Sequence, residues 1–278
     1  METGSGREPG TGRRIALEIS YDGTDYSGLQ IQNSEDTIQA KLEEAIHTLV
    51  KERTRITASG RTDSGVHALG QVVHFDTESD INLSRLCIGL NGILPAAISV
   101  TNAFEVPADF HARFSALERE YLYLVHNHPF RSPFMMYRAA WLSQPADCAV
   151  LKKALACLKG EHDFASFCKK ISAEKGTVRE IKHISVTERE SLFIVRIRAN
   201  AFLHNMIRII MGTLFEIVRK GHHPSHMKEV LEARDRDAAG PTAPPYGLYL
   251  YRVYYDPPLE GFPSALEERR TRYAGDCD

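Results

Sequence analysis

The sequence predicts an α+β protein built from two ferredoxin-like (RRM-like) halves, and three observations lead there. Between Arg14 and Glu105, strand-like and helix-like runs follow one another as β-α-β-β-α-β. A similar order, with extra helical material, returns between Tyr121 and Tyr255. The 278 residues are 43% hydrophobic and 25% charged, as in a globular chain able to bury a core. That order is the split βαβ unit, with helices on one face of an antiparallel sheet. Two such halves in pseudo-twofold arrangement would share one long mixed or antiparallel sheet, with helices packed on it and a central cleft. The expected division is a flexible leader over 1–13, an N-terminal half over 14–107, a C-terminal half over 108–256 and a flexible tail over 257–278.

Each element has its own signal. Arg14 to Tyr21 (RIALEISY) alternates as a strand, and Asp22-Gly23-Thr24 ends it with turn chemistry. Thr37 to Lys51 places Ile38, Leu42, Ala45, Ile46 and Leu49 at helical spacing, with Asp36 or Thr37 as N-cap. Arg55 to Ala58 (RITA) and Gln71 to Asp76 (QVVHFD) read as strands, Leu83 to Leu90 as a helix and Ile98 to Glu105 as a strand. In the second half Tyr121 to Asn127 is a strand and Cys148 to Leu158 an amphipathic helix. Glu180 to Glu188 and Leu192 to Ala199 form a hairpin. Phe202 to Arg219 is a long helix whose apolar face runs through Leu203, Met206, Ile207, Ile210, Met211, Leu214 and Ile217. His226 to Arg234 is a short helix and Gly247 to Tyr255 a last strand.

Composition narrows the function classes. No apolar run approaches the ~18 residues that a membrane span needs. Met1 to Arg14 is polar and glycine-rich, without the hydrophobic centre of a secretory signal. Five cysteines, at 87, 148, 157, 168 and 277, make an odd count with no close CxxC pair. That favours a reducing, cytoplasmic setting over a disulfide scaffold or a cysteine zinc site. His222, His223 and His226 lack a partner ligand at metal spacing, and Pro224 breaks their register, so they read as a solvated loop. The net charge of -2 means that any polyanion must be met by a local patch.

The richest stretch is Ser59 to Ala68 (SGRTDSGVHA), between two strands. A plain turn is one reading, because Asp and Gly are ordinary turn residues. The other gives Arg61 the guidance of a polyanion and Asp63 the part of nucleophile or base. Spacing alone does not choose. Phe110-His111-Ala112-Arg113-Phe114 interleaves aromatic and basic residues as RNA contacts do, but phenylalanines also anchor linkers to a core. Arg119, Tyr121 and Tyr123 share one strand face, where a tyrosine can stack on a base or simply pack. Lys169, Lys170, Lys175, Arg179 and Lys182 form a basic run, opposed only by Glu174 and Glu180, that suits either a solvated loop or an RNA contact. Arg208, one turn beyond His204 among apolar neighbours, must find a carboxylate or snorkel to the edge.

Taken in order, SGRTDSGVHA, the 110–114 patch, the Arg119/Tyr121/Tyr123 strand, Asn200 to Arg208 (NAFLHNMIR) and Gly247 to Leu250 (GLYL) resemble the TruA-type tRNA pseudouridine synthases of bacteria. The resemblance runs from about Arg14 to Tyr255. It implies isomerisation of uridine to pseudouridine at positions 38, 39 and 40 of the tRNA anticodon arm. It implies Asp63 as the catalytic aspartate, Arg61 as the residue that helps flip the base and Tyr121 as the ring stacking on uracil. Arg208 matches the arginine that pairs with the catalytic carboxylate, and Arg113 a tRNA-contacting arginine. Leu248, or Leu250 close by, matches an apolar residue packing on the base. The family works as a homodimer, one tRNA touching both subunits, with no metal or organic cofactor. Three features depart from the pattern: Leu29-Gln30 where a Trp-Gln pair is usual, Cys168 where an arginine is frequent, and Glu174 to Val178 (EKGTV). The competing reading is an RNA-binding protein or tRNA-folding helper that has lost catalysis. A further alternative is the same reaction at other RNA positions.

Overall fold

The computed structural model describes residues 12–31, 36–169 and 176–265. The N-terminal half runs β1 (Arg13–Tyr21), α1 (Ile38–Val50), β2 (Thr57–Ala58), β3 (His67–Thr77), α2 (Leu83–Ile93) and β4 (Ile98–Val106). The C-terminal half runs β5 (Glu118–Asn127), β6 (Ala140–Leu142), α3 (Cys148–Ala156), β7 (Gly160–Asp163), β8 (Val178–Arg189), β9 (Leu192–Ala199), α4 (Met206–Lys220), α5 (His226–Ala233) and β10 (Leu248–Tyr254). All ten strands form one mixed sheet of order β4-β1-β3-β10-β5-β9-β8-β7, with β2 beside β3 and β6 beside β5. The pairs β3–β10 and β5–β6 are parallel and the others antiparallel. The order β4-β1-β3 recurs as β10-β5-β9 in the same sense. A step along the sheet therefore relates the halves, where a twofold normal to the sheet would reverse the second order.

Alternation along the strands assigns the two faces. Phe193, Val195, Ile197 and Ala199 of β9 join the core built with α3, α4 and α5. Between them Arg196 and Arg198 point the other way and pair with Glu120 and Glu118 of β5. Ile15, Leu17 and Ile19 of β1 bury against Ile38, Leu42 and Ile46 of α1 and Leu86 and Leu90 of α2. Thr37 caps α1, its Oγ1 accepting from Ala40 N–H at 3.3 Å, so Asp36 is not the cap.

Three expectations are corrected. Arg55 and Ile56 are not strand, and β2 shrinks to the two residues that face His74 and Val73, because Ile56 N–H turns to the Glu43 carboxylate of α1 at 3.1 Å. The long helix starts at Met206 instead of Phe202. Asn205 sits in the left-handed region at φ 62°, which asparagine tolerates, and residues 200–205 stay open as a loop. Finally, Pro257 to Ala265 do not hang as a tail. Leu259 and Ala265 are buried in the N-terminal core, and Glu105 N–H donates to Pro263 at 3.1 Å. The rest of the expected tail, and residues 1–11 of the leader, lie outside the described residues.

Helix α4 is crossed closely by residues 240–243. A Cβ added at Gly212 would lie 1.6 Å from the Pro241 carbonyl oxygen, so only glycine permits the crossing. The crossing delivers Ala243, whose N–H donates to the Arg208 carbonyl and whose own carbonyl accepts from Arg208 Nε, each at 2.9 Å. Overpacking at such a site costs about 1–3 kcal/mol or more. Gly212→Ala is therefore expected to lower unfolding free energy by at least that much in urea titration. Parental stability in that variant would show that the crossing is looser than described.

Candidate active site

The stretch 59–66 is fastened at nearly every residue. Ser59 N–H donates to Val72 at 2.8 Å, and the Gln71 amide bridges Ser59 Oγ (2.5 Å) and the Gly60 carbonyl (2.9 Å). Thr62 is held from two sides: Leu29 N–H reaches its carbonyl at 3.2 Å and Tyr21 OH its Oγ1 at 2.7 Å. Gly28, at φ +101°, lets the chain pass where a Cβ would stand 2.8 Å from that same carbonyl. Ser64 Oγ donates to Tyr26 at 3.1 Å. The side chains of Arg61 and Asp63, between these fastened residues, line the adjoining cleft.

Asp63 is met from the C-terminal half. Arg208 Nη1 donates to its Oδ2 at 3.0 Å, and His204 Nε2 stands 3.4 Å from its Oδ1. The Asp63 side chain keeps 34% of its exposure while Arg208 keeps 16%, so the acid faces the cleft and its cation sits behind it. Arg208 is itself fixed by the Asn205 Oδ1 at 2.9 Å and by the Ala243 carbonyl. The open loop 200–205 thus contributes His204 and Asn205 to the site. A continuous helix from Phe202 hides that role in the sequence.

Tyr121 lines the same cleft, edge-to-face with Phe202 at 5.1 Å between centroids. Burial pushes its phenol well above the ordinary value, which keeps it neutral at physiological pH. Leu248 lines the cleft, whereas Leu250 is fully buried in the N-terminal core. Tyr123 is a packing residue: its ring meets Phe215 and its OH donates to Pro244 at 2.8 Å.

The 110–114 patch divides. Phe110 and Ala112 are buried, Ala112 N–H donating to His74 Nδ1 at 3.1 Å and its carbonyl accepting from Tyr255 OH at 2.8 Å. These two side chains are anchored in the core. His111 Nδ1 accepts from Arg113 and Phe114 N–H, both at 3.2 Å, and turns those residues outward. Arg113 and Phe114, the latter 77% exposed, line the cleft. In the basic run, Lys182 pairs with Glu118 at 3.4 Å, Lys170 and Lys175 lie outside the described residues, and Arg179 alone reaches the cleft. His226 pairs with Glu229 at 3.1 Å, and among the described residues no group of three side chains could hold a metal.

Arg119 binds these segments together. Its guanidinium donates to the carbonyls of Ala116 (2.9 Å), Asn200 (3.2 Å), Ser59 (3.1 Å) and Arg113 (2.6 Å). The strand spacing that pairs it with Tyr121 shows its face, but carbonyl partners leave no trace in a sequence. The whole cleft, about 1390 Å³, carries Asp63 as its one carboxylate among the described residues, against Arg61, Arg113, Arg119, Arg179 and Arg208.

Five arginines around a single accessible carboxylate, among the described residues, make a cleft able to receive a polyanion and to bring an acid to it. The sequence profile of the tRNA pseudouridine synthase family matches residues 18–115 and 154–256. A tRNA pseudouridine synthase A of Syntrophomonas wolfei is 42% identical over 87% of this chain and 97% of its own. Enzymes of the same name from Paraburkholderia phymatum (43% identical, 87% and 91% covered) and Bacillus pumilus (42%, 87% and 99%) align equally well. The chain belongs to the tRNA pseudouridine synthase family.

Two outcomes follow from the geometry. Arg119→Lys keeps the charge but cannot serve four carbonyls from one plane. Hydrogen bonds to a charged group contribute about 1.5–3 kcal/mol each, so the variant should lose at least that much stability in thermal melts. Retained stability would mean that the clamp is dispensable. Burial first, and the Arg14 and His111 charges second, push the His74 imidazole down to about 4 from 6.5. The unfolded chain then binds more protons between those values. His74 thus contributes stability fully above pH 6.5, which is lost as pH falls towards 4. His74→Gln should flatten that part of the stability–pH curve, and parallel curves for parent and variant would remove the contribution.

Proposed function

We propose that the protein is a tRNA pseudouridine synthase that converts uridines 38, 39 and 40 of the anticodon stem-loop to pseudouridine by base flipping and aspartate catalysis. The observation that carries this reading is Asp63, ion-paired to Arg208 at 3.0 Å and open to a cleft lined by Tyr121 and Leu248. Family membership supports it, and so does a ferredoxin-like strand order repeated in each half.

A uridine inside a stem is out of reach, and taking it out of the stack costs a few kcal/mol. Arg61, exposed on the cleft beside Asp63, fills the vacated space and meets the backbone. Arg113 and Phe114 hold the RNA at the cleft wall, one by charge and one by ring. The extruded uracil lies between the Tyr121 ring and Leu248. Arg208 aims the Asp63 carboxylate through its Nη1 hydrogen bond. The C1′–N1 bond breaks, the ring turns, and C1′ bonds to C5; C5 releases a proton and N1 gains one. Attack on the sugar, attack on the base and removal of the C2′ proton are all within the chemistry of an ionised Asp63. The isomerisation consumes no redox equivalent or nucleotide and calls for no cofactor. The working unit in this reading is a cytoplasmic homodimer with one tRNA across both subunits.

Tritium release from tRNA labelled at uracil C5 tests the reaction. The parent protein should release label from positions 38 to 40, and Asp63→Ala should release none while still binding tRNA. Binding without release by the parent would favour the non-catalytic RNA-binding reading. Equal release from both proteins would move catalysis to another residue.

A further inference from the structure

One cation of the cleft has no assigned task. Arg179 is the second residue of β8, away from the catalytic stretch in sequence, and comes from the basic run that also suits a solvated loop. It is half-buried and lines the cleft with Asp63 and Arg208. Its Nη1 donates to the carbonyls of Val178 at 2.6 Å and Gly176 at 3.3 Å, which fixes the guanidinium to its own strand start. Its Nε is buried without a hydrogen-bond partner. Among the described residues no carboxylate lies within ion-pair distance of it, whereas Arg208 has Asp63 and Arg196 has Glu120. Burial lowers its pKa, as expected of a cation that lacks a counter-charge.

The neighbouring backbone explains why it faces inward. Glu180 N–H donates to Asn200 Oδ1 at 3.1 Å and Asn200 N–H returns to the Glu180 carbonyl at 3.2 Å. Asn200 also accepts from Arg119. Arg179 is therefore locked to the wall that carries Phe202 and His204. A half-buried, immobilised cation without an anion is costly unless a ligand supplies one. The ligand of this cleft is a phosphodiester chain, for which a guanidinium is well shaped.

We propose that Arg179 binds a backbone phosphate of the RNA in the cleft, a contact that works with Arg61 and Arg113 of the same lining. The proposal rests on the reading of the cleft as an RNA site. The test uses the full chain and compares the parent with Arg179→Gln and Arg179→Lys. Affinity for unmodified tRNA transcript is measured by fluorescence anisotropy across a salt series, together with kcat and KM for tritium release. The glutamine variant should bind roughly 10-fold more weakly, raise KM in proportion and leave kcat within about 2-fold. It should also reduce the slope of log affinity against log salt by about one. The lysine variant should restore the slope.

An unchanged affinity and slope in Arg179→Gln would overturn the proposal, as would a fall in kcat with binding intact. Loss of melting temperature in the glutamine variant with an unchanged slope in the lysine variant supports the contact; a loss of slope in both overturns it. A parent that binds tRNA without releasing tritium would sink the catalytic reading, and the salt slopes would still decide the phosphate contact. A parent that does not bind tRNA would sink both.

Discussion

Strand β10 is the constraint on which the molecule depends. It belongs by sequence to the C-terminal half, yet it lies between β3 and β5 and closes the sheet across both. Its parallel contact with β3 covers only Tyr249↔His67 and Leu250↔Ala68, at the point where the catalytic stretch enters the sheet. Its antiparallel contact with β5 sets Leu250 against Tyr121 and Leu248 against Tyr123. One short strand therefore fixes the register between Asp63, carried by the loop before β3, and Tyr121, carried by β5. Tyr249 reinforces the joint by stacking on the buried His67 ring at 4.6 Å. Because side chains alternate along a strand, a slip of one residue would turn Leu248 out of the cleft and destroy the site.

Electrostatics is arranged around that joint without help from net charge. The chain as a whole is at -2, but the cleft gathers five arginines around one carboxylate. Like charges in a low-dielectric groove repel, so the arrangement needs separate means of holding each arginine. Arg208 is held by Asp63, Asn205 and Ala243; Arg119 is held by four carbonyls; Arg179 is held by the carbonyls of its own strand start. Carbonyl oxygens orient a guanidinium without cancelling its charge, whereas a carboxylate partner would. The carbonyl-held Arg119 and Arg179 thus keep a field in the cleft that a phosphate chain can enter.

Much of this was legible from residue patterns, and what was not has local causes. The long amphipathic runs gave helices at 38–50, 148–156 and 226–233 to within two residues or so. The start of α4 was misplaced because Phe202 and Leu203 fit the apolar period of the helix, while the stop is set by the left-handed backbone of Asn205 and by the needs of the cleft. That is a tertiary demand overriding a periodic signal. Phe110 and Ala112 look like Arg113 and Phe114 in a string of letters. Only the His74 and Tyr255 contacts separate anchor from surface. The pairing of Arg208 with a carboxylate was foreseeable from an arginine on an apolar face, but Arg119 and Arg179 act through backbone groups, which every residue possesses.

The Leu29 departure from the family pattern falls where a side chain matters less than a backbone, while Glu174 and Lys175 of the Glu174 to Val178 stretch lie outside the described residues. Leu29 is buried and lines the cleft, yet what it gives the catalytic stretch is its N–H, donated to Thr62, and its carbonyl, which accepts from Gln39 at the start of α1. Both bonds survive any side chain that fits the space, so leucine in place of a bulkier ring alters the volume of the cleft wall and leaves the loop in register. Cys168 is buried against Ala165, with Sγ 3.5 Å from that carbonyl, and occupies its site as a small apolar group. Cys168 does not line the cleft, where Arg179 is the cation contributed by β8.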